Sequence, residues 1–447
     1  MQWFALSSLF WLALGSPAFA QRDLDPLFDR ASVIWQATPE QFMQEYRSAG
    51  FRWLSTTSPD AARSAEPDLR FLGLRVWESV VRFAAGKPHE ITLSLYNRGD
   101  AGDLDEAEFA KFMVSLDANL TQWAGEKGVL LRTPERTTVA TVRRKSWVKD
   151  VHRVDLVWGL SERSRAQGIA AVRPEFARLQ FTRFDLQNDP RKLMFAAPAP
   201  TKAVSVLDLR ARVQRAPNGD VIITGIPMVD QGPKGYCAAA VAERLLRYYG
   251  RSLDQHEIAQ LANTTAQGGT NPQNMMAALR RIGDEVRMDV DSLRDFDGRD
   301  FEKMLDDYNR AARKVKKPEF ELVQRNGNFV YVNDPVQVYT QLDAGLLKAA
   351  RLKREAGRLD FQQTVSKYVK AGAPLAWSVM LGKIKETPDI PGFGGHMRLI
   401  IGFNDRTGEI LYSDSWGAGH ERKRLSLDDA WTITLGYYCL RPRDIRF

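Results

Sequence analysis

The sequence predicts an α+β chain of two folded parts, and three observations carry that reading. Phe109, Phe112, Met113, Leu116, Leu120 and Trp123 recur at three- and four-residue spacing, which makes Asp105 to Ala124 an amphipathic helix. Around it lie stretches rich in β-branched and aromatic residues: Phe71 to Trp77, Glu90 to Tyr96, Thr137 to Val142, Arg153 to Trp158 and Arg178 to Phe184. Ala196-Ala197-Pro198-Ala199-Pro200 then reads as a stiff, unpaired linker. The expected division is a signal at 1–20, an α+β part at 21–195, the linker at 196–200 and a second part at 201–447.

The signal rests on Trp3 to Leu14, an apolar run too short to span a bilayer comfortably. Gly15-Ser16-Pro17 breaks it, and Ala18-Phe19-Ala20 follows as a small-x-small cleavage site. No later segment is long and apolar enough to cross a membrane, so the expectation is an exported protein, secreted or periplasmic. Thr38-Pro39-Glu40-Gln41 reads as a capped helix start with Pro39 at the first helical position. Asn97 to Glu108 has the length of a calcium loop, but Gly99 and Ala101 stand where oxygen ligands are needed, so it reads as a turn into a capped helix.

The 44% hydrophobic and 10% aromatic content excludes a disordered chain. The net charge of +8, from 63 basic and 55 acidic residues, is mild. Arg143-Arg144-Lys145, Arg313 to Lys317 and Lys348 to Arg358 carry no aromatic interleaving, so no nucleic acid is expected and solvated faces are the default. Association with anionic cell-envelope polymers stays open. Five scattered histidines and two cysteines show no zinc spacing.

After the linker, Ala203 to Val213 and Asp220 to Ile226 are strand candidates joined by a turn at Asn218-Gly219. Asp230-Gln231-Gly232-Pro233-Lys234-Gly235-Tyr236-Cys237 is a loop, and Ala238 to Tyr249 is a helix pattern. Cys237 thus sits at a helix N-terminus, where partial positive charge favours the thiolate. Gln231, six residues earlier on the turning loop, could swing back beside the sulfur and stabilise an oxyanion with the Cys237 backbone N–H. Gly394-Gly395-His396 opens a strand running to Phe403, Asn404 to Gly408 turns, and Glu409 to Ser413 returns to Asp414. If Phe403 pairs with Glu409, His396 and Asp414 become diagonal neighbours on one face; a one-residue bulge could place them on opposite faces.

These residues resemble the papain-like superfamily of cysteine peptidases. The resemblance lies in Gln231 to Cys237 entering a helix, Gly395-His396 opening a strand, and Asp414-Ser415-Trp416-Gly417. Gly268-Gly269-Thr270-Asn271-Pro272 and the Asp254 to Ala262 helix look like the bacterial branch related to double-glycine, bacteriocin-processing peptidases. The likeness covers about Ile226 to Arg441 and leaves 21–200 outside. It implies helices packed against an antiparallel sheet. Cys237 would be nucleophile, His396 general base and acid, Asp414 the imidazole orienter, Gln231 the oxyanion donor and Trp416 a shield for the His–Asp bond. Papain has Asn where this chain has Asp414; the double-glycine branch has Asp. No ATP-binding cassette follows, so a transporter-linked role is not implied.

The expected activity is hydrolysis of a peptide or protein substrate through a thioester, a thiol protease needing no cofactor. The alternatives are a papain-like transferase passing the acyl group to an amine, and a catalytically inactive envelope- or peptide-binding protein. A Cys237–Cys439 disulfide is the plain reading of two exported cysteines, but it would not require Gln231 or the His396 hairpin. Cys439, in an apolar strand, is expected to be a buried free thiol. His420 falls in a polar loop and His256 is expected at the surface of a helix. Every catalytic candidate follows residue 226, so residues 21–200 are expected to regulate access or location and to take no part in bond cleavage.

Overall fold

The computed structural model describes residues 22–447 except 30–32, 132–134, 137–140, 164–170, 185–203, 233–234, 252, 254, 262–276, 278, 281–282, 284–286, 296, 322–323, 326–327, 330–334 and 391. The expected signal, the linker, the Gly268 to Pro272 helix start and most of the Thr137 to Val142 strand lie outside the described residues. The fold is α+β and is organised by two large antiparallel sheets.

The first sheet runs 52–53, 61–64, 78–84, 87–97, 171–183, 152–163, 141–149 and 129–130 in spatial order, with 135–136 also on the 141–149 strand. Alternate residues enter its core: Ile91, Leu93 and Leu95 point inward with Leu179 and Phe181, and Leu116 and Leu120 cover them from the helix Glu106–Ala124. That helix starts where the calcium-like spacing ends. The Asp105 side chain accepts from the Glu108 N–H and Glu108 accepts from the Asp105 N–H, a reciprocal cap. Thr38 and Gln41 make the same arrangement at the helix Pro39–Glu45.

Two expectations are corrected. Phe71 to Trp77 is not one strand, because Leu72 and Gly73 both take positive φ (48° and 73°) and turn the chain between Leu69–Phe71 and Leu74–Arg75. Ala203 to Val213 contains a helix, Val206–Ala211, because Ser205 and Asp208 form a capping box that outweighs the β-branched composition.

The second sheet runs Val213–Arg215, Asp220–Ile223, Gly394–Asn404, Leu375–Leu381, Thr434–Pro442 and Met288–Arg294. Glu409–Ser413 pairs with Gly394–Asn404 and carries Lys423–Ser426 beyond it. Leu375–Leu381 is buried at every residue, as an inner strand covered on both faces must be. The helices Cys237–Tyr248 and Glu355–Lys370 pack into this core through Leu245, Leu246, Phe361, Val365 and Val369. Each of those leucines is at most 1% exposed and contributes about 1.5–3 kcal/mol by burial.

The two sheets meet beside the Cys237 helix. Leu54, Ala61 and Met228 bury together there, and Arg178 pairs with Glu257 at 2.7 Å. The helix Gln255–Leu261 lies at this contact, so His256 is buried, 3.9 Å from Glu78 and edge-on to Tyr236. This corrects its expected surface position.

Candidate active site

Cys237 is the first residue of the helix Cys237–Tyr248 and is half-buried. Burial pushes its thiol pKa up. A hydrogen bond and the positive charge from His396, with the Met397 and Ala238 amides, outweigh that and bring the thiol below its ordinary value. Burial likewise pushes the His396 imidazole down, while hydrogen bonds to Asp414 and Cys237 raise it above the usual histidine value. Each group thus stabilises the ionised form of the other. The His396 Nε2–H donates to Asp414 Oδ1 at 3.1 Å, which leaves Nδ1 as the nitrogen for the sulfur.

The hairpin reaches this geometry by an indirect route. Asn404, not Phe403, pairs with Glu409, a register one residue tighter than expected. Carried through unchanged, that register would set Asp414 opposite Leu399 and turn it to the other face. A bulge between Ile400 and Gly402 absorbs one residue, and beyond it Ile400 pairs with Tyr412 and Leu399 with Ser413. Continuing the corrected pairing places Arg398 opposite Asp414 and His396 on the face that Asp414 shares. Gly402 fits the bulge because a Cβ there would lie 2.6 Å from the Val221 carbonyl oxygen of the adjoining strand.

Trp416 stacks on the His396 ring, with centroids 4.4 Å apart and planes 13° from parallel. Gln231 is buried and tied to the same turn: its N–H donates to Ser415 O at 2.8 Å, and Ser415 Oγ donates to Gln231 Oε1 at 2.7 Å. The amide oxygen is therefore committed to Ser415, and the NH₂ end is the donor. All five expected site residues, Cys237, His396, Asp414, Gln231 and Trp416, thus belong to one linked set. His420 adjoins this set: its ring meets the edge of Trp416 at 5.4 Å, its backbone carbonyl accepts from the Asp414 N–H at 2.9 Å, and burial holds its imidazole below the usual histidine value. Cys439 is a buried free thiol in Thr434–Pro442.

Beneath Asp414 lies a charged basin that sequence reasoning missed. Arg398 Nε stands 2.9 Å from Asp414 Oδ1, and Lys423 Nζ 3.6 Å from Oδ2. Glu386 binds both cations from the far side, at 3.2 Å to Arg398 and 3.2 Å to Lys423, and accepts from the Tyr412 hydroxyl. These side chains are essentially out of solvent. Burial pushes the Asp414 carboxyl up, but Arg398, the His396 hydrogen bond and Lys423 hold it far below the carboxylate range. Arg244, inside the Cys237 helix, donates to Pro227 O (2.9 Å), Asp414 O (2.8 Å) and Ser413 Oγ (2.6 Å). One guanidinium thereby ties the Cys237 helix to the strand end that bears Asp414. The signal available in sequence was Arg398 opposite Asp414 in the hairpin; Glu386, Lys423 and Arg244 gave none.

The arrangement sets a thiol held below its ordinary pKa against an imidazole whose other nitrogen bonds a carboxylate, with the Gln231 amide tied to the same turn through Ser415. No protein-family model matches the chain, and no curated protein matches it.

Proposed function

We propose that the chain is a papain-like cysteine peptidase that acts after export. The observation that carries this reading is the Cys237–His396–Asp414 relay, with the sulfur at a helix N-terminus and Trp416 stacked on the imidazole. A buried structural cysteine needs none of these partners.

In the proposed reaction the Cys237 thiolate attacks the scissile carbonyl carbon. The oxyanion accepts hydrogen bonds from the Gln231 amide and the Cys237 backbone N–H. His396, as imidazolium, gives its proton to the departing amine as the C–N bond breaks, leaving a thioester. It then takes a proton from water, whose oxygen attacks the thioester; the acid leaves and the thiol pair is restored. Asp414 stays ionised throughout and holds the ring.

Digestion of a proteome-derived peptide library by the purified protein, compared with Cys237→Ala, tests the activity. Cleavage at a consistent sequence by the native chain alone is the expected result. Acyl transfer to an added amine in place of cleavage would make it a transferase. Failure of a thiol-directed peptide epoxide to label Cys237 would overturn the reading. Export rests on the apolar run Trp3 to Leu14 and the Ala18-Phe19-Ala20 site, and N-terminal sequencing of the mature protein checks it.

A further inference from the structure

The loop that carries Gln231 is held from outside its own sheet. Asp230 accepts from the Gly232 N–H at Oδ1 (2.8 Å) and from Arg63 Nη1 at Oδ2 (3.1 Å). Gln231 is bracketed between those two residues. Arg63 belongs to the strand Ala61–Ser64 of the first sheet and is fixed there by Glu78 at 2.8 Å. The guanidinium is largely buried between the two carboxylates. A second route converges on the same residue. Arg82 of the first sheet pairs with Glu243 (3.4 Å), Glu243 accepts from the Gln255 N–H (2.7 Å), and Gln255 Nε2 donates to Asp230 O (3.1 Å).

Between these groups is a cavity of about 60 Å³ walled by Arg63, Arg82, Glu243, Arg247 and Gln255. Leu54, Val80 and Val229 line it as well, and Leu54, Ala61 and Met228 pack together nearby, so ion pairs and a small apolar cluster share the contact at this point. A third contact touches the residue next to the nucleophile. A Cβ on Gly99 would collide with the Tyr236 hydroxyl oxygen, so the short helix Arg98–Ala101, which follows the first sheet's strand 87–97, rests directly against the residue preceding Cys237.

We propose that Arg63 is a positioning residue for acyl transfer: it holds Asp230, and through it the Gln231 donor, from a sheet that contains no catalytic group. The inference rests on the peptidase reading above, since it assigns Gln231 the oxyanion. It also changes the expected role of residues 21–195, from a separable regulator to part of the scaffold that completes the site.

The test uses the full chain and two readouts. Hydrolysis of p-nitrophenyl acetate forms an oxyanion; alkylation of Cys237 by iodoacetamide is a displacement at carbon and forms none. Arg63→Met, which keeps the apolar stem, should lower kcat for the ester roughly tenfold to a hundredfold, with alkylation changed by no more than about twofold. Added to Gln231→Ala, the same substitution should cost nothing further, because both act through one donor. Arg63→Met leaves Glu78 buried without its arginine, so Asp230→Asn is the second variant. It keeps the Gly232 turn and the Arg63–Glu78 pair, and should lower ester turnover in the same direction by less.

Unchanged ester turnover in both variants would overturn the proposal. So would equal losses in turnover and alkylation, which would mark Arg63 as general support for the fold. If native Cys237 alkylates at the rate of a free thiol and turns over no ester, the peptidase reading fails first, and this inference falls with it.

Discussion

The two cysteines occupy opposite kinds of surroundings in the same sheet-and-helix core. Cys439 lies in the middle of Thr434–Pro442, fully buried, and burial together with Asp291 pushes its thiol far above the ordinary value. Cys237 is also crowded, yet it ends below the ordinary value because His396 and two backbone amides face the sulfur. Burial acts in the same direction at both sites. What separates them is whether donors aimed at the sulfur outweigh it. The same rule distinguishes Asp414, held ionised by Arg398 and Lys423, from Asp25, which burial chiefly, and then neighbouring Asp23, push up to about 6.

The largest effect sharpens that contrast. An unperturbed thiol is only a few per cent thiolate at neutral pH, so Cys439 should resist iodoacetamide while Cys237 reacts. Mass spectrometry after brief treatment should find the label on Cys237 alone. Cys237→Ala should lower any acyl turnover on the order of a thousandfold or more, and Cys439→Ala should leave it unchanged. Preferential labelling of Cys439, or a disulfide between the two in fresh protein, would break the comparison.

Removing the carboxylate that orients the base comes next. Asp414→Ala frees the His396 ring and strands Arg398 and Lys423 beside Glu386. Trp416, stacked on the ring, retains part of its orientation. Turnover per folded molecule should fall about tenfold to a hundredfold. Stability should fall by roughly 3–5 kcal/mol, the usual cost of breaking a buried ion pair. Denaturant unfolding followed alongside kinetics separates the two losses, and a stable but fully active variant would remove Asp414 from the relay.

Most of what reads locally in this chain was legible. The Cys237 helix, the capped helices at Thr38 and Asp105, and the Glu409–Ser413 return strand all rest on near-neighbour patterns, and the structure contains each. The hairpin shows where such reading stops. The turn register was one residue out, and the bulge at Ile401 that restores it depends on how closely the Asp220–Ile223 strand approaches Gly402. That strand is some 180 residues away in sequence. Glu386 was invisible for the same reason. Its partners Arg398, Tyr412 and Lys423 come from three strands, and no local spacing brings them together. His256 read as exposed because its helix was considered without the first sheet against which it packs.

A subtler change asks whether charge at 414 matters beyond orientation. In Asp414→Asn the side-chain oxygen can still accept from His396 Nε2, so the ring stays placed. The negative charge that favours the imidazolium is gone, and the His396 pKa should drop. Because the proton must be on His396 for the leaving group, activity is present below the imidazolium pKa and lost as pH rises through it. The alkaline limb of the kcat/KM profile should therefore move to lower pH, with substantial activity remaining at the optimum. The apparent values belong to the Cys237–His396 pair, so both limbs should be followed. Equal, near-native profiles for Asn and Ala would show that another group orients the base.

The smallest expected effect probes the basin behind Asp414. Arg398 and Lys423 are matched, two against two, by Glu386 and Asp414 before His396 takes its proton. Glu386→Gln leaves two cations against one anion and should make a further positive charge on His396 less favourable. The alkaline limb should again move to lower pH, by less than in Asp414→Asn because Glu386 touches Arg398 and Lys423 and acts on the imidazole through Asp414's surroundings. The amide also cannot accept from Arg398, Lys423 and the Tyr412 hydroxyl as the carboxylate does, so stability should drop by about 1–3 kcal/mol. Tyr412→Phe serves as the control for that second loss: it removes one hydroxyl from Glu386 without changing the charge balance, and should lower stability while leaving the pH profile in place. A Glu386→Gln profile that moves to higher pH, or one that Tyr412→Phe reproduces, would mean the basin supports the fold without tuning His396.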